Sequence, residues 1–214
     1  MILWTVQDVR VWQRVKDGET YTTDESHILF PGYEDDDANH CNHAYLWLAN
    51  KMRERVGEPP EGVRYPVWAW YKRQGQHDGK PDMRRLKAEP DSEEVVRMRL
   101  DVPDWEVLLS DFDDWHSVLN YWPSFETKEE CDNYDKMLED LGIDWLDVSN
   151  WSKTSEELTR IRKVVEESWE STLGVRRGVD DYCSHPWPLR TIQATFWELK
   201  PEYVVSVEKF KANH

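Results

Sequence analysis

The chain has 214 residues, with 27 Lys plus Arg against 43 Asp plus Glu and a net charge of −16. That length suits a single domain spanning residues 1–214 with a sizeable core, while the acidic balance disfavours direct nucleic-acid binding as its main role. A hydrophobic fraction of 39% alone would fit a partly disordered chain, but 13 Trp, 9 Tyr and 5 Phe supply large buried areas per residue, so the sequence predicts a folded, aromatic-cored protein.

Residues 2–7 form a short β-prone run, and Asp8 then caps a helix with Val9, Trp12 and Val15 on one face, stopped by Gly18. Residues 22–40, with Pro31-Gly32 and the acidic Asp35-Asp36-Asp37, read as a loop into a helix that aligns Tyr45, Leu48, Met52 and Val56 and ends at Gly57 and Pro59-Pro60. The aromatic and branched run from Tyr65 to Tyr71 predicts an inner strand. A polar loop from Gln74 to Pro90 follows, and this region carries Lys72, Arg73, Lys80, Arg84, Arg85 and Lys87. Val95 to Val102 alternates as a strand, and Trp105 to Leu109 reads as another after Pro103.

Thr127-Lys-Glu-Glu130 is a capping box ahead of an amphipathic helix with Cys131, Tyr134, Leu138 and Leu141, closed by Gly142. Thr154-Ser-Glu-Glu157 repeats the device before Leu158, Ile161, Val165, Trp169 and Leu173, closed by Gly174. The chain ends in two strand-like runs from Ile192 to Phe210, hinged at Lys200-Pro201. Alternation sets Gln193, Thr195 and Trp197 on one face of the first run and Ala194, Phe196 and Glu198 on the other. Strands first, in the middle and last, with blocks of helices between, predict an α+β fold: a central, mostly antiparallel sheet with flanking amphipathic helices.

Three places have the residue types that chemistry needs. Trp4-Thr5-x-Gln7 sets polar side chains on the first strand, either bonded to neighbouring strands or forming a ligand-binding edge. Ser110-Asp-Phe-Asp-Asp-Trp-His-Ser117 follows an apolar strand at its carboxyl end, where ligands are often held. There Ser110 or Asp111 serves either as a helix cap or in catalysis, and His116 has an unperturbed pKa near 6.5 that suits acid-base work beside Asp111 or Asp114. His40-Cys41-x-His43 uses metal-ligand vocabulary, but no second pair completes a recognised tetrahedral set unless Cys183 and His185 join from afar, so no metal is expected.

The three cysteines, Cys41, Cys131 and Cys183, are widely spaced and odd in number, which argues against a disulfide framework and fits a reducing cytoplasm. The stretch Met-Ile-Leu-Trp-Thr-Val-Gln lacks a basic region followed by an apolar run, and no segment approaches the roughly 20 apolar residues of a membrane helix. The expectation is a soluble protein with no membrane association.

Taken together, Trp4 to Gln7, Tyr65-Pro-Val-Trp-Ala-Trp70, Leu109 to Asn120 and Gln193-Ala-Thr-Phe-Trp-Glu-Leu199 resemble a bacterial family known only as a domain of unknown function. More loosely, a first strand with a polar triplet, a helix ending in Gly18 just before Tyr21 and a late Gln-Ala-x-Phe strand are similar to small ADP-ribosyltransferase-like domains. That likeness implies a transferase or nucleotide-binding relative that uses NAD, a small nucleotide ligand. Trp4, Thr5, Gln7, Tyr21, Ser110 and Asp111 would lie on the cofactor, with Gln193, Glu198 and His116 as catalytic candidates. The resemblance wants a carboxylate near Gln193, where this chain has an amide, with Glu198 five residues on. An amide orients a ribose hydroxyl but supplies no negative charge to an oxocarbenium-like centre, so either Glu198 reaches the site through a bulge or the domain binds without transferring. The rival expectation is a non-enzymatic acidic protein that engages a basic partner through Glu34 to Asp37, Asp111 to Asp114 and Glu126 to Asp140, blocking its nucleic-acid-binding site.

Overall fold

A computed structural model describes residues 1–23, 36–74, 78–85, 94–175 and 186–211. The fold is α+β, with six strands in one sheet in the order β4-β5-β2-β1-β3-β6. The chain divides into a sheet unit, Met1–His27, Ala49–Leu109 and Thr191–His214, and a helical unit, Ile28–Leu48 and Ser110–Arg190. Residues 24–35, residues 75–77 and 86–90 of the Gln74 to Pro90 loop, and Cys183 and His185 lie outside the described residues.

In the sheet unit, β1 (Ile2–Asp8) is central, between β2 (Val67–Lys72) and β3 (Glu94–Asp101). The pairs β1–β2, β1–β3, β2–β5 and β3–β6 are all antiparallel, where β5 is Ile192–Phe196 and β6 is Val204–Lys211. The aromatic run read as an inner strand is inner because its side chains are branched or aromatic on both faces. Asp8 caps α1 (Val9–Lys16) by accepting from Arg10 N–H at 2.7 Å. Val11 and Val15 of α1 join Leu3, Val67, Ala69, Val96, Met98, Leu100, Ala194 and Phe196 in one apolar core. Successive residues of a strand point to opposite faces, so Leu3, Ala69 and Ala194 define the core face, and Trp4, Trp70 and Gln193 the other.

One expected strand differs. Trp105 sits in a 3₁₀ turn (Asp104–Glu106) and is exposed, and the strand that follows is β4, Leu108–Asp111. The Pro103-Asp104 start favours a tight turn, which Glu106 N–H on Pro103 O at 3.0 Å and Val107 N–H on Asp104 O at 3.3 Å close. The last two runs are not sheet neighbours: β5 lies beside β2 and β6 beside β3, with the 3₁₀ turn Pro201–Tyr203 between them.

The division between the units falls inside α2 (Asp36–Arg55), and this helix already includes Asp36 and Asp37, which were expected in a loop. In α3 (Phe112–Leu119), Asp111 accepts from Asp113 N–H at 2.9 Å. The helix α4 (Lys128–Leu141) starts with the expected Thr127/Glu130 box and ends on Gly142 at φ 64. A short α5 (Trp145–Val148), absent from the sequence expectation, precedes α6 (Glu156–Ser168). Ser155, not Thr154, caps α6, and the helix tightens into a 3₁₀ turn at Trp169–Leu173 where a longer helix was expected. There Ser168 Oγ donates to Val165 O at 2.6 Å and accepts from Ser124 N–H at 2.9 Å, diverting the backbone pattern. Leu158, Ile161, Val165 and Trp169, at spacings of three and four, form the buried stripe.

Candidate functional site

The residues singled out in the sequence divide between the units. In the sheet unit, Gln193 pairs with Trp70 and Trp70 with Trp4, so the three form a row across β5, β2 and β1 on the face away from the apolar core. Cations cover this row. The Lys80 ammonium lies 5.0 Å and the Arg97 guanidinium 5.7 Å from the Trp4 ring, and Arg73 lies 4.9 Å from that of Trp70. Arg97 is held by Pro81 O and Glu208 Oε2, each at 2.6 Å. Gly79 is packed so closely that a Cβ there would fall 2.3 Å from the Trp70 carbonyl oxygen. Beneath these cations, Gln193 Oε1, Trp4 Nε1 and Arg97 Nε are buried with no hydrogen-bond partner among the described residues. Unsatisfied buried polar atoms are uncommon, because each costs about 1–3 kcal/mol.

The other first-strand residues take structural roles. Thr5 Oγ1 donates to Trp68 O at 2.9 Å and accepts from Gln7 Nε2 at 2.9 Å, and both residues alternate with Trp4, onto the core face. Tyr21 belongs to the apolar core and exchanges two backbone hydrogen bonds with Leu199, at 2.9 and 2.8 Å. Glu198 lies beyond the end of β5, with one carboxylate oxygen 3.9 Å from Lys200 Nζ. Alternation across a continuous strand does not reach Glu198, since β5 stops at Phe196 and Trp197 Nε1 turns to donate to Gly57 O at 2.9 Å.

In the helical unit, Ser110 and Asp111 are buried, with Ser110 Oγ unpartnered among the described residues. Burial pushes the Asp111 carboxyl up, opposed by the Asp113 and Asp114 backbone N–H groups and by the Arg190 charge. His116 is exposed, and its Nδ1 donates to Phe112 O at 2.7 Å within its own helix.

A polar cluster that no local motif marks centres on Glu166. His43 Nε2 lies 3.0 Å from Glu166 Oε1, and the Tyr121 phenol donates to the same oxygen at 2.6 Å. Burial alone would raise the Glu166 carboxyl, but the hydrogen bonds from His43 and Tyr121 and the charge of Arg162 hold it below the usual glutamate value. An ionised carboxylate only accepts, so His43 Nε2 carries the proton. The imidazole is boxed by aromatics: Tyr121 edge-on at 5.5 Å, Trp151 at 5.3 Å and Trp169 at 6.0 Å. Arg162 supports the assembly by lying 4.8 Å from the Trp151 ring and donating to Val148, Asn150 and Lys153 carbonyls at 2.9, 2.8 and 3.0 Å.

Tyr121 has φ 55, the left-handed region where a helix ends best on glycine. The cap geometry is otherwise regular, with Tyr121 N–H on Val118 O at 3.1 Å and Trp122 N–H on Ser117 O at 2.8 Å. A bulky side chain in that conformation costs about 1–2 kcal/mol and persists only where its surroundings over-determine it. His43 also lines an open cleft of ≈ 280 Å³ with Asn42, Leu46 and Trp151.

The chain matches the family described as Domain of unknown function (DUF3841) over residues 2–205, and it belongs to that family. No curated protein and no solved structure matches it. Among the described residues, no helix is long and apolar enough to cross a membrane.

Proposed function

We propose that this chain is an ADP-ribosyltransferase-like protein or nucleotide-binding relative that uses NAD, with the nicotinamide end recognised by the row Gln193, Trp70 and Trp4. One observation carries the reading: Gln193 Oε1, an acceptor, and Trp4 Nε1, a donor, are both buried without partners on either side of an aromatic ring. A carboxamide offers the complementary donor and acceptor, and the indole between them offers a stacking surface. Gln193 would orient the ligand while Glu198, if it leaves Lys200, would supply the negative charge that an oxocarbenium-like centre needs. Titrating NAD while following tryptophan emission is the test. Saturable quenching that Gln193→Ala weakens at least about tenfold is expected, and a flat curve up to millimolar NAD overturns the reading. If NAD is turned over, Glu198→Gln should lower the rate by about two orders of magnitude or more. Binding with no turnover leaves the nucleotide-binding relative.

A second reading is favoured by the surface of α4. Lys128 and Lys136 there are each paired four residues on, with Asp132 and Asp140, which leaves Glu129, Asp135 and Glu139 on exposed helix with no ion-pair partner among the described residues. Such a face suits a basic protein partner, one whose nucleic-acid-binding surface it would block. Binding of that kind should weaken steeply between low and physiological salt. Salt-insensitive association would overturn it.

A further inference from the structure

We propose that the helical unit holds a hydrolytic site in which His43 transfers the proton, acting on a neutral acyl ester seated in the cleft of Asn42, Leu46 and Trp151. This inference stands apart from the NAD reading, because every residue it uses lies in Ile28–Leu48 or Ser110–Arg190.

Glu166 Oε1 accepts from His43 Nε2 at 3.0 Å, so in the neutral imidazole the lone pair sits on Nδ1. Nδ1 has no partner among the described residues, and the His43 side chain is 37% exposed and lines the cleft, so the imidazole is open to a reactant there. Three aromatic rings fix the imidazole plane, and the carboxylate that orients it is itself anchored by the Tyr121 phenol at 2.6 Å. A base within hydrogen-bond reach of a third, orienting group is the arrangement that activates a water or hydroxyl. Tyr121 holds the carboxylate from a left-handed backbone at φ 55, and strain of that kind collects where a side chain must be placed for function.

The cleft selects the substrate class. It is ≈ 280 Å³, with Leu46 and Trp151 as apolar wall and Asn42 beside the histidine on the same helix. The net charge of −16 and the ionised Glu166 behind the imidazole repel phosphates and carboxylates, so a small uncharged acyl group fits. In the reaction, His43 Nδ1 takes a proton from water as the water oxygen bonds to the acyl carbon and the carbonyl π pair moves onto oxygen. The oxyanion then collapses, the carbon–oxygen bond to the alcohol breaks, and the leaving alkoxide takes the proton from Nδ1. Glu166 stays ionised throughout and stabilises the imidazolium. The products are a carboxylic acid and an alcohol.

The experiment follows p-nitrophenyl butyrate hydrolysis by the full chain across pH. Saturable hydrolysis that rises with pH through a single ionisation is expected. His43→Gln keeps an amide donor toward Glu166 and should lower kcat by about 100-fold or more with an unchanged circular-dichroism melt. Glu166→Gln should lower kcat by at least about tenfold while changing KM little, since it orients the base and does not touch the ester. In His43→Ala, added imidazole should restore part of the rate, which a merely structural histidine would not permit. Wild-type hydrolysis no faster than buffer, a His43→Gln protein of full rate, or a His43→Ala protein that imidazole leaves inactive each overturns the proposal. His43→Gln leaves the sheet row intact, so an NAD titration on it separates failure here from failure of the nucleotide reading.

Discussion

Tyr121 donates its phenol to Glu166 at 2.6 Å from a backbone position, φ 55, that ordinarily belongs to glycine. The Tyr121 ring is buried edge-on between Trp151 at 4.9 Å and Trp169 at 5.1 Å, so packing and hydrogen bond together offset the left-handed strain. Tyr121→Phe keeps the ring and the strain but removes the donor. Thermal and urea unfolding should show a loss of roughly 1–2 kcal/mol, toward the low end for a bond to charge because Glu166 is 36% exposed. Unchanged stability would mean that the aromatic box alone holds Tyr121.

Glu166 also makes stability depend on acid. Its carboxyl is held below the ordinary value of 4.5 by His43, Tyr121 and Arg162 against the opposing effect of burial. For a depressed group the contribution is present above the unfolded value, where the unfolded chain has also lost its proton, and disappears as pH falls through the folded value. Below pH 4.5 the wild type should therefore lose stability more steeply than Glu166→Gln. Parallel melting curves for the two proteins from pH 6 down to about pH 3 check this, and coincident slopes would contradict it.

Local signals in the sequence carried much of the fold. Asp8 and the Thr127/Glu130 box mark helix starts, Gly142 a helix end, and the dense aromatic run at Val67–Lys72 an inner strand, because each depends on residues within one turn or one strand. What was not legible was non-local. The end of β5 before Glu198 depends on Trp197 reaching Gly57, and the exclusion of Thr5 from the row of Gln193 depends on sheet register. No local signal marks Glu166, because the residues that make it a centre, His43 and Tyr121, are 123 and 45 positions away. The one local clue was a tyrosine immediately after Asn120, where a helix stop would ordinarily have glycine.

Gly79 is a strict packing position. A Cβ would meet the Trp70 carbonyl oxygen at 2.3 Å and its carbon at 2.5 Å, and both are backbone atoms that cannot rotate away. Gly79→Ala must therefore push the segment that carries Lys80 off the Trp4 ring, or shift β2. The expected cost is about 3 kcal/mol or more, well above that of a surface glycine substitution. It should come with a changed tryptophan emission spectrum, since the cation over Trp4 moves. A variant with wild-type melting temperature would show that the segment relaxes without cost.

At the alkaline end the sign reverses. Burial pushes the Tyr45 and Tyr134 phenols up to about 12, and burial with the Glu166 contact raises Tyr121 further still above the ordinary 10.0. Between these values the unfolded chain has released phenol protons that the folded chain retains, so stability is full below pH 10 and falls as pH rises toward 12. Ultraviolet titration at the phenolate band separates the two states. In folded protein a group of tyrosines should remain unionised past pH 11 and then ionise together with loss of near-ultraviolet circular dichroism, whereas in urea all should titrate near 10. Tyr121→Phe should remove the highest-titrating phenol and leave the Tyr45 and Tyr134 steps in place. If every phenol in the native protein titrates near 10 with the near-ultraviolet signal intact, desolvation of these three phenols, and with it the anchoring of Glu166 by Tyr121, is refuted.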